Sequence, residues 1–116
     1  MKLVHWDQVE VEAMNPLVTR QVLHTDNMTM ARLVLKKGAT VPEHHHVNEQ
    51  ISNITSGSLH FVVAGVDQVV AAGETLVIPP NVPHSAVAEE DCEAIDVFTP
   101  RREDWLRGDD AYLRKG

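Results

Sequence analysis

Short runs rich in Val, Ile, Leu and Thr recur along the chain between clusters of Gly, Pro, Asn and Asp, and no strong helical periodicity shows before the C-terminus. That spacing predicts an all-β sandwich or barrel. The predicted strands cover residues 18–24, 28–37, 50–56, 59–64, 68–71, 75–78, 85–88 and 94–98, separated by the turn sequences KKGAT, SGS, AGVD, AAGE, PPNVP and EED. The segment TPRREDWLRGDDAYLRK differs. Thr99 is placed to cap, Pro100 suits a first helical position, and Trp105, Leu106 and Leu113 give it an apolar side, so a short C-terminal helix is expected.

Composition narrows the class. With 116 residues, the whole chain from 1 to 116 is expected to form one domain around one core. Apolar residues at 43% and charged ones at 23% are ordinary for a globular protein. The opening MKLVHWDQVEVE meets charge too early for a signal peptide, and no apolar run reaches membrane-spanning length, so a cytoplasmic protein with no membrane partner is expected. Cys92 is the only cysteine; it sits in the apolar run CEAIDVF and reads as a small core residue. A net charge of -7 without a basic, aromatic-studded stripe argues against nucleic acid.

The candidate chemistry centres on VPEHHHVNEQ, residues 41–50. An internal run that follows a proline and opens into the strand-like QISNITS is not a terminal tag. Strand alternation puts His44 and His46 on one face and His45 on the other, and Gln50, Ser52 and Ile54 share the parity of His44 and His46. Gln50 is then a natural third ligand for a metal, and His84, after the two prolines of IPPNVPHS, a fourth. Three neutral imidazoles and an amide oxygen would leave coordination positions open, the pattern of a catalytic site. A lone H-x-H is more often solvated surface, so the argument rests on the whole set; His5, His24, His45 and His60 have no such partners and are left out of the site.

Gly38, His44, His46, Gln50 and Gly57 follow the order G-x5-H-x-H-x3-Q-x6-G, and Gly73, Pro79, Asn81 and His84 follow G-x5-P-x-N-x2-H. These spacings resemble the two motifs of the cupin family. The resemblance implies a double-stranded β-helix, or jelly-roll barrel, with one divalent metal ion inside it. The family usually has glutamate at the position of Gln50, often glycine at Asn81, and asparagine at Ala88. An amide in place of a carboxylate leaves a dication its full charge, which favours polarising a substrate oxygen over oxygen-activating iron chemistry; nickel, zinc, manganese and iron all suit the ligands.

Asp96 is the second candidate, a carboxylate in the apolar run AIDVF, where alternation turns Cys92, Ala94, Asp96 and Phe98 to one side. Such a group is either paired with an arginine or functional. Arg102, beyond a proline-fixed corner, offers a planar fork suited to a carboxylate. The combination of EQI, IPPNVPH and DVFTPRRED further resembles the small cupins of the KdgF family, which convert 4,5-unsaturated uronates to the open-chain 4-deoxy-5-keto form. That resemblance implies His44, His46, Gln50 and His84 as metal ligands, Asp96 and Arg102 as catalytic residues, Arg102 also as a binder of the substrate carboxylate, and Phe98 as a pocket residue. Relatives commonly read QITYVLEG where this chain has QISNITSG, so Ser52 and Asn53 are expected to alter the substrate-binding wall. The alternatives are a non-catalytic cupin that binds a sugar or other small molecule, and a metal-dependent oxygenase or isomerase on the same barrel. Apolar residues on both faces of AIDVF and ETLVIPP, together with the resemblance, lead to the expectation of a homodimer acting on a small sugar acid.

Overall fold

Alternating burial along strands such as β5 (Glu49–Ser56) and β10 (Cys92–Thr99) builds two facing antiparallel sheets. The computed structural model describes residues 1–115. Its strands are β1 (Glu12–Asn15), β2 (Val18–His24), β3 (Thr29–Leu35), β4 (Thr40–His44), β5 (Glu49–Ser56), β6 (Ser58–Val63), β7 (Val66–Ala71), β8 (Thr75–Ile78), β9 (His84–Val87) and β10 (Cys92–Thr99), followed by α1 (Glu103–Leu106) and α2 (Ala111–Lys115). A short 3-10 turn at Trp6–Gln8 precedes them. The larger sheet has the order β1-β2-β3-β10-β5-β8 and the smaller β4-β9-β6-β7, which is a jelly-roll arrangement. Met14, Val18, Leu35, Ile54, Leu59, Phe61, Val70 and Ile78 fill the space between the sheets. Each such side chain contributes about 1.5–3 kcal/mol by leaving water.

β10 carries the centre of the larger sheet. Asp96 pairs with Ala31 of β3 on one side and Ser52 of β5 on the other, and Phe98 pairs with Thr29 and Gln50. Because Cys92, Ala94, Asp96 and Phe98 are all buried while the residues between them are less so, these partners form inward rows that floor the barrel. Cys92 is a buried core thiol, as its sequence neighbourhood suggests.

Two strands escape the hydrophobic pattern. β1 and β4 are short and polar, and each lies at a sheet edge, where Pro42 and Glu43 of β4 do no harm to the ladder. Nor does His44 run straight into the next strand: it ends β4 in the smaller sheet, the chain turns over residues 45–48, and β5 starts in the larger one. The C-terminus also differs from expectation. Thr99 is held as the last residue of β10 opposite Glu49 and is followed by a cis bond to Pro100, so neither caps a helix. α1 begins only at Glu103, with Arg102 as an N-cap residue that makes no capping bond; in the first turn Asp104 Oδ1 accepts the Trp105 N–H at 3.0 Å.

Backbone constraints explain two motif positions. Gly57 has a φ of +70°, and a Cβ there would collide with the carbonyl oxygen of Asp91, so both conformation and space demand glycine. Asn81, where glycine is usual, has a φ of +63°, a region that asparagine tolerates better than most residues. Its N–H donates to the His46 carbonyl at 2.8 Å and so ties the two motifs together.

Candidate metal centre

Three histidines reach one point from three places. His44 ends β4, His84 begins β9 directly opposite it in the ladder, and His46 sits on the crossing between the sheets. One ring nitrogen from each lies within 4.8 Å of the others. The backbone orients all three rings. Nδ1 of His44 lies 2.8 Å from the Pro42 carbonyl, Nδ1 of His46 3.0 Å from that of Asn48, and Nδ1 of His84 2.8 Å from that of Val82. Each Nδ1 therefore carries the proton and each Nε2 presents a lone pair.

Those lone pairs lack a partner of the right kind. His84 Nε2 is buried without a hydrogen bond, and His46 Nε2 faces Gln50 Oε1 at 3.1 Å, one acceptor against another. Gln50 cannot relieve this by donating, because its amide nitrogen is committed to Ser52 Oγ at 2.9 Å. A cation between them is what the arrangement lacks. Burial supports the same reading by lowering the pKa of His44 and of His46 to about 4, and that of His84 as well, with the charge of Arg102 adding to the effect on each. Neutral imidazoles at pH 7 are what metal binding requires. The donor set fits a divalent ion, and His44, His46, His84 and Gln50 would hold it.

Ser52 is fully buried and does not line the cavity. Its hydroxyl accepts from Gln50 and hydrogen-bonds the Asp96 carboxylate, so it positions both groups and makes no wall for a ligand. Asn53 faces outward, donating to the Ile95 carbonyl at 3.0 Å and accepting from the Thr75 hydroxyl at 2.7 Å, so the expectation that it alters the pocket wall is corrected: β5 alternation turns it away. Ser52→Ala should let the Gln50 amide rotate. Metal affinity, read by competition with a chelator, should fall roughly 10–100-fold with the fold intact.

Among the described residues, Asp96 has no arginine paired to it. One carboxylate oxygen, Oδ1, is buried with no hydrogen bond, and burial pushes its pKa up to about 7 against the opposing pull of Ser52 and Arg102. Arg102 pairs elsewhere: its Nε and Nη2 grip Asp104 at 3.0 and 2.8 Å, and Nη2 also donates to the Tyr112 hydroxyl at 2.7 Å. The edge expected to clamp a substrate carboxylate is thus already occupied, which leaves Nη1 as the part that neither residue engages. The guanidinium stacks on Phe98 and Trp105, with its central carbon 4.7 and 4.3 Å from their ring centres. Phe98 in turn stands 5.7 Å from the His46 ring, edge to face.

A cavity of about 60 Å³ joins these groups, lined among others by His44, Gln50, His84, Asp96, Phe98 and Arg102. Sequence reasoning missed the residues that close it. Tyr112 on α2 lies 4.6 Å from the His44 ring, and Arg20, Trp105 and Leu113 complete that wall. Asn48 was missed too; buried beside His46, it donates to the carbonyls of Pro100 and Arg101 and so fixes the corner from which Arg102 departs. The omitted histidines stay outside the site: His5 and His45 are exposed, His24 bonds Thr29, and His60 is held by Asp67 and Glu89 at the surface.

A jelly-roll barrel with three histidines gathered between its sheets, able to hold a metal ion, defines the class of this protein. The chain belongs to the cupin family: the model of the cupin domain matches residues 31–98. It is a small cupin that resembles KdgF. The solved structure of KdgF from Halomonas sp. shares 27% identity over 91% of this chain and 99% of that one, with a TM-score of 0.84. An RmlC-like cupin from Shewanella frigidimarina NCIMB 400 shares 32% over 90% and 96%, also at 0.84. The polyketide cyclase RemF from Streptomyces resistomycificus, 24% identical over 85% and 79% with a TM-score of 0.73, shares the fold. No curated protein matches the sequence.

Proposed function

We propose that this protein is a metal-dependent enzyme that opens 4,5-unsaturated uronates to the linear 4-deoxy-5-keto form. The observation that carries the reading is a buried carboxylate, Asp96, whose pKa near 7 and unpartnered oxygen sit in the same cavity as the three-histidine and glutamine set. The KdgF-like frame supports it.

The reaction moves one proton. The hydroxyl on carbon 1 loses it as the carbon 1 carbonyl forms and the bond from carbon 1 to the ring oxygen breaks; carbon 4 gains it as the resulting enolate becomes a ketone. No oxidant or reductant is needed. A divalent ion at the four ligands supplies Lewis acidity toward a substrate oxygen. Asp96 takes the hydroxyl proton and returns one to carbon 4, a task for which a group titrating near neutrality is suited. Arg102 places positive charge beside the anionic substrate and Phe98 packs its ring. At roughly 10–15 Å³ per water, the cavity holds about four to six waters. That is room for one small sugar acid.

The test follows the ultraviolet absorbance of the conjugated double bond in freshly made 4,5-unsaturated galacturonate. Metal-loaded protein should remove it faster than the spontaneous rate, and chelation should abolish the gain. An unchanged rate with fully loaded protein would sink the proposal.

We also propose a homodimer built on the outer face of the larger sheet. There Leu23, Met30, Val97, Ile51 and Val77 are successive cross-strand neighbours, an apolar row over β2, β3, β10, β5 and β8, with Ile51 and Val77 well exposed. Sedimentation should give a dimer for the native chain and a monomer for Ile51→Glu.

A further inference from the structure

The cavity is polarised. Of the residues that line it, those near the histidines carry unpartnered buried acceptors, His84 Nε2 and Asp96 Oδ1, and those elsewhere carry unpartnered buried donors, Arg20 Nε and Nη1 and Trp105 Nε1. Arg20 stands on the inward face of β2, in the row of Leu33, Ala94 and Ile54, two inward rows along and three strands across from Gln50. It is only 4% exposed, and Trp105 9%.

The acids beside Arg20 do not satisfy it. Glu12 and Asp110 both meet Nη2, at 3.0 and 2.7 Å, and both are shared with Arg114. The Trp105 ring lies 4.5 Å from the guanidinium carbon and attracts its charge, yet a ring face offers no lone pair to Nε–H or Nη1–H. Arg102 stacks on the same indole at 4.3 Å, so an acceptor near the indole N–H would feel two guanidinium charges. Buried donors of this kind are normally paired, and two free guanidinium N–H groups beside an indole N–H suit the oxygens of a carboxylate, although acids already pair both guanidinium charges from other sides.

We infer that Arg20 and Trp105 form a carboxylate subsite, which holds the acid group of the ligand while its hydroxyl end faces the histidines and Asp96. The orientation rests on the uronate reading above; the subsite itself rests on the unpaired donors. It also accounts for how a sugar acid is held when Asp104 and Tyr112 occupy the Arg102 edge.

The experiment compares D-galacturonate with neutral D-galactose by calorimetry on zinc-loaded protein, for the native chain, Arg20→Lys and Trp105→Phe. The second variant keeps an aromatic ring and removes only the indole N–H, so it stays informative should Arg20→Lys disturb its ion pairs. The native protein should prefer the acid by about tenfold or more, and each variant should lose about fivefold or more of that preference while zinc and galactose affinities hold. Undiminished preference in both variants would overturn the subsite and leave the uronate reading standing. If the native protein binds neither sugar, the ultraviolet assay on the unsaturated uronate alone judges the uronate reading, and acetate decides the subsite: a shift of the Trp105 indole and Arg20 Nε–H resonances in nitrogen-15 spectra sustains it, and unmoved resonances overturn it.

Discussion

His84→Ala should leave a folded protein that no longer retains metal. The native chain should keep about one divalent ion through dialysis, whereas the variant should keep almost none by elemental analysis, with an affinity loss beyond the roughly 10–100-fold typical of removing a supporting residue. Of the four candidate ligands, His84 should isolate the metal most cleanly, since its Nε2 is buried and bonded to nothing else. Metal-free His84→Ala sheds a buried acceptor without a partner but also loses the Nδ1 bond to the Val82 carbonyl and leaves a cavity, so it should be somewhat less stable than the metal-free native chain. Metal should then separate the two. Saturating ion at about a thousand times the dissociation constant stabilises a binding-competent fold by roughly 4 kcal/mol, and only the native chain should show that gain in thermal unfolding. The pH dependence has a definite sign. His44 and His46 have folded pKa values of about 4, below the ordinary 6.5, so the unfolded chain binds protons that the folded one does not. Their contribution is present above about pH 6.5 and fades as pH falls toward 4.

Much of this site was legible because its information is local. The H-x-H pair, Gln50 and His84 follow short spacings, and the motif glycine Gly57 stands where a backbone turn leaves no alternative. Strands such as β2 and β8 announce themselves by runs of branched residues bounded by turns. What escaped depends on tertiary pairing. β4 is polar and contains a proline, and only its ladder with β9 makes it a strand. Ser52 looked like a wall residue because parity gave the correct face, but parity says nothing of whether a hydroxyl meets a ligand or, as here, a glutamine and an aspartate. Arg102 looked free because its partners, Asp104 in the next turn and Tyr112 on the final helix, are set by how the C-terminus folds back. Arg20 and Trp105 are 85 positions apart, a separation no local pattern bridges.

Asp96→Asn should separate an enzyme from a binder and should move rate and stability in opposite directions. An enzyme that uses this carboxylate for proton transfer should lose roughly 100- to 10,000-fold in kcat on the unsaturated uronate while still binding galacturonate, since the amide keeps the shape and loses the proton. A sugar-binding cupin would have no turnover to lose. Stability gives a second reading that needs no substrate. The folded pKa of about 7 lies above the ordinary 3.8 because burial disfavours the charge, so between those values the folded protein holds a proton that the unfolded chain has released. The stability of the native chain should therefore fall as pH rises toward and through 7. Asparagine carries no such charge. In metal-free protein the variant should gain over the native chain by less than about 1 kcal/mol at pH 4 and by up to roughly 4 kcal/mol at pH 8, read from urea unfolding at each pH. A flat difference across that range would mean that Asp96 is ionised at little cost in the fold and is poorly suited to exchange a proton at neutral pH. A rising difference together with lost turnover would tie the two: the burial that makes this carboxylate costly to the fold is what brings its proton within reach of the reaction.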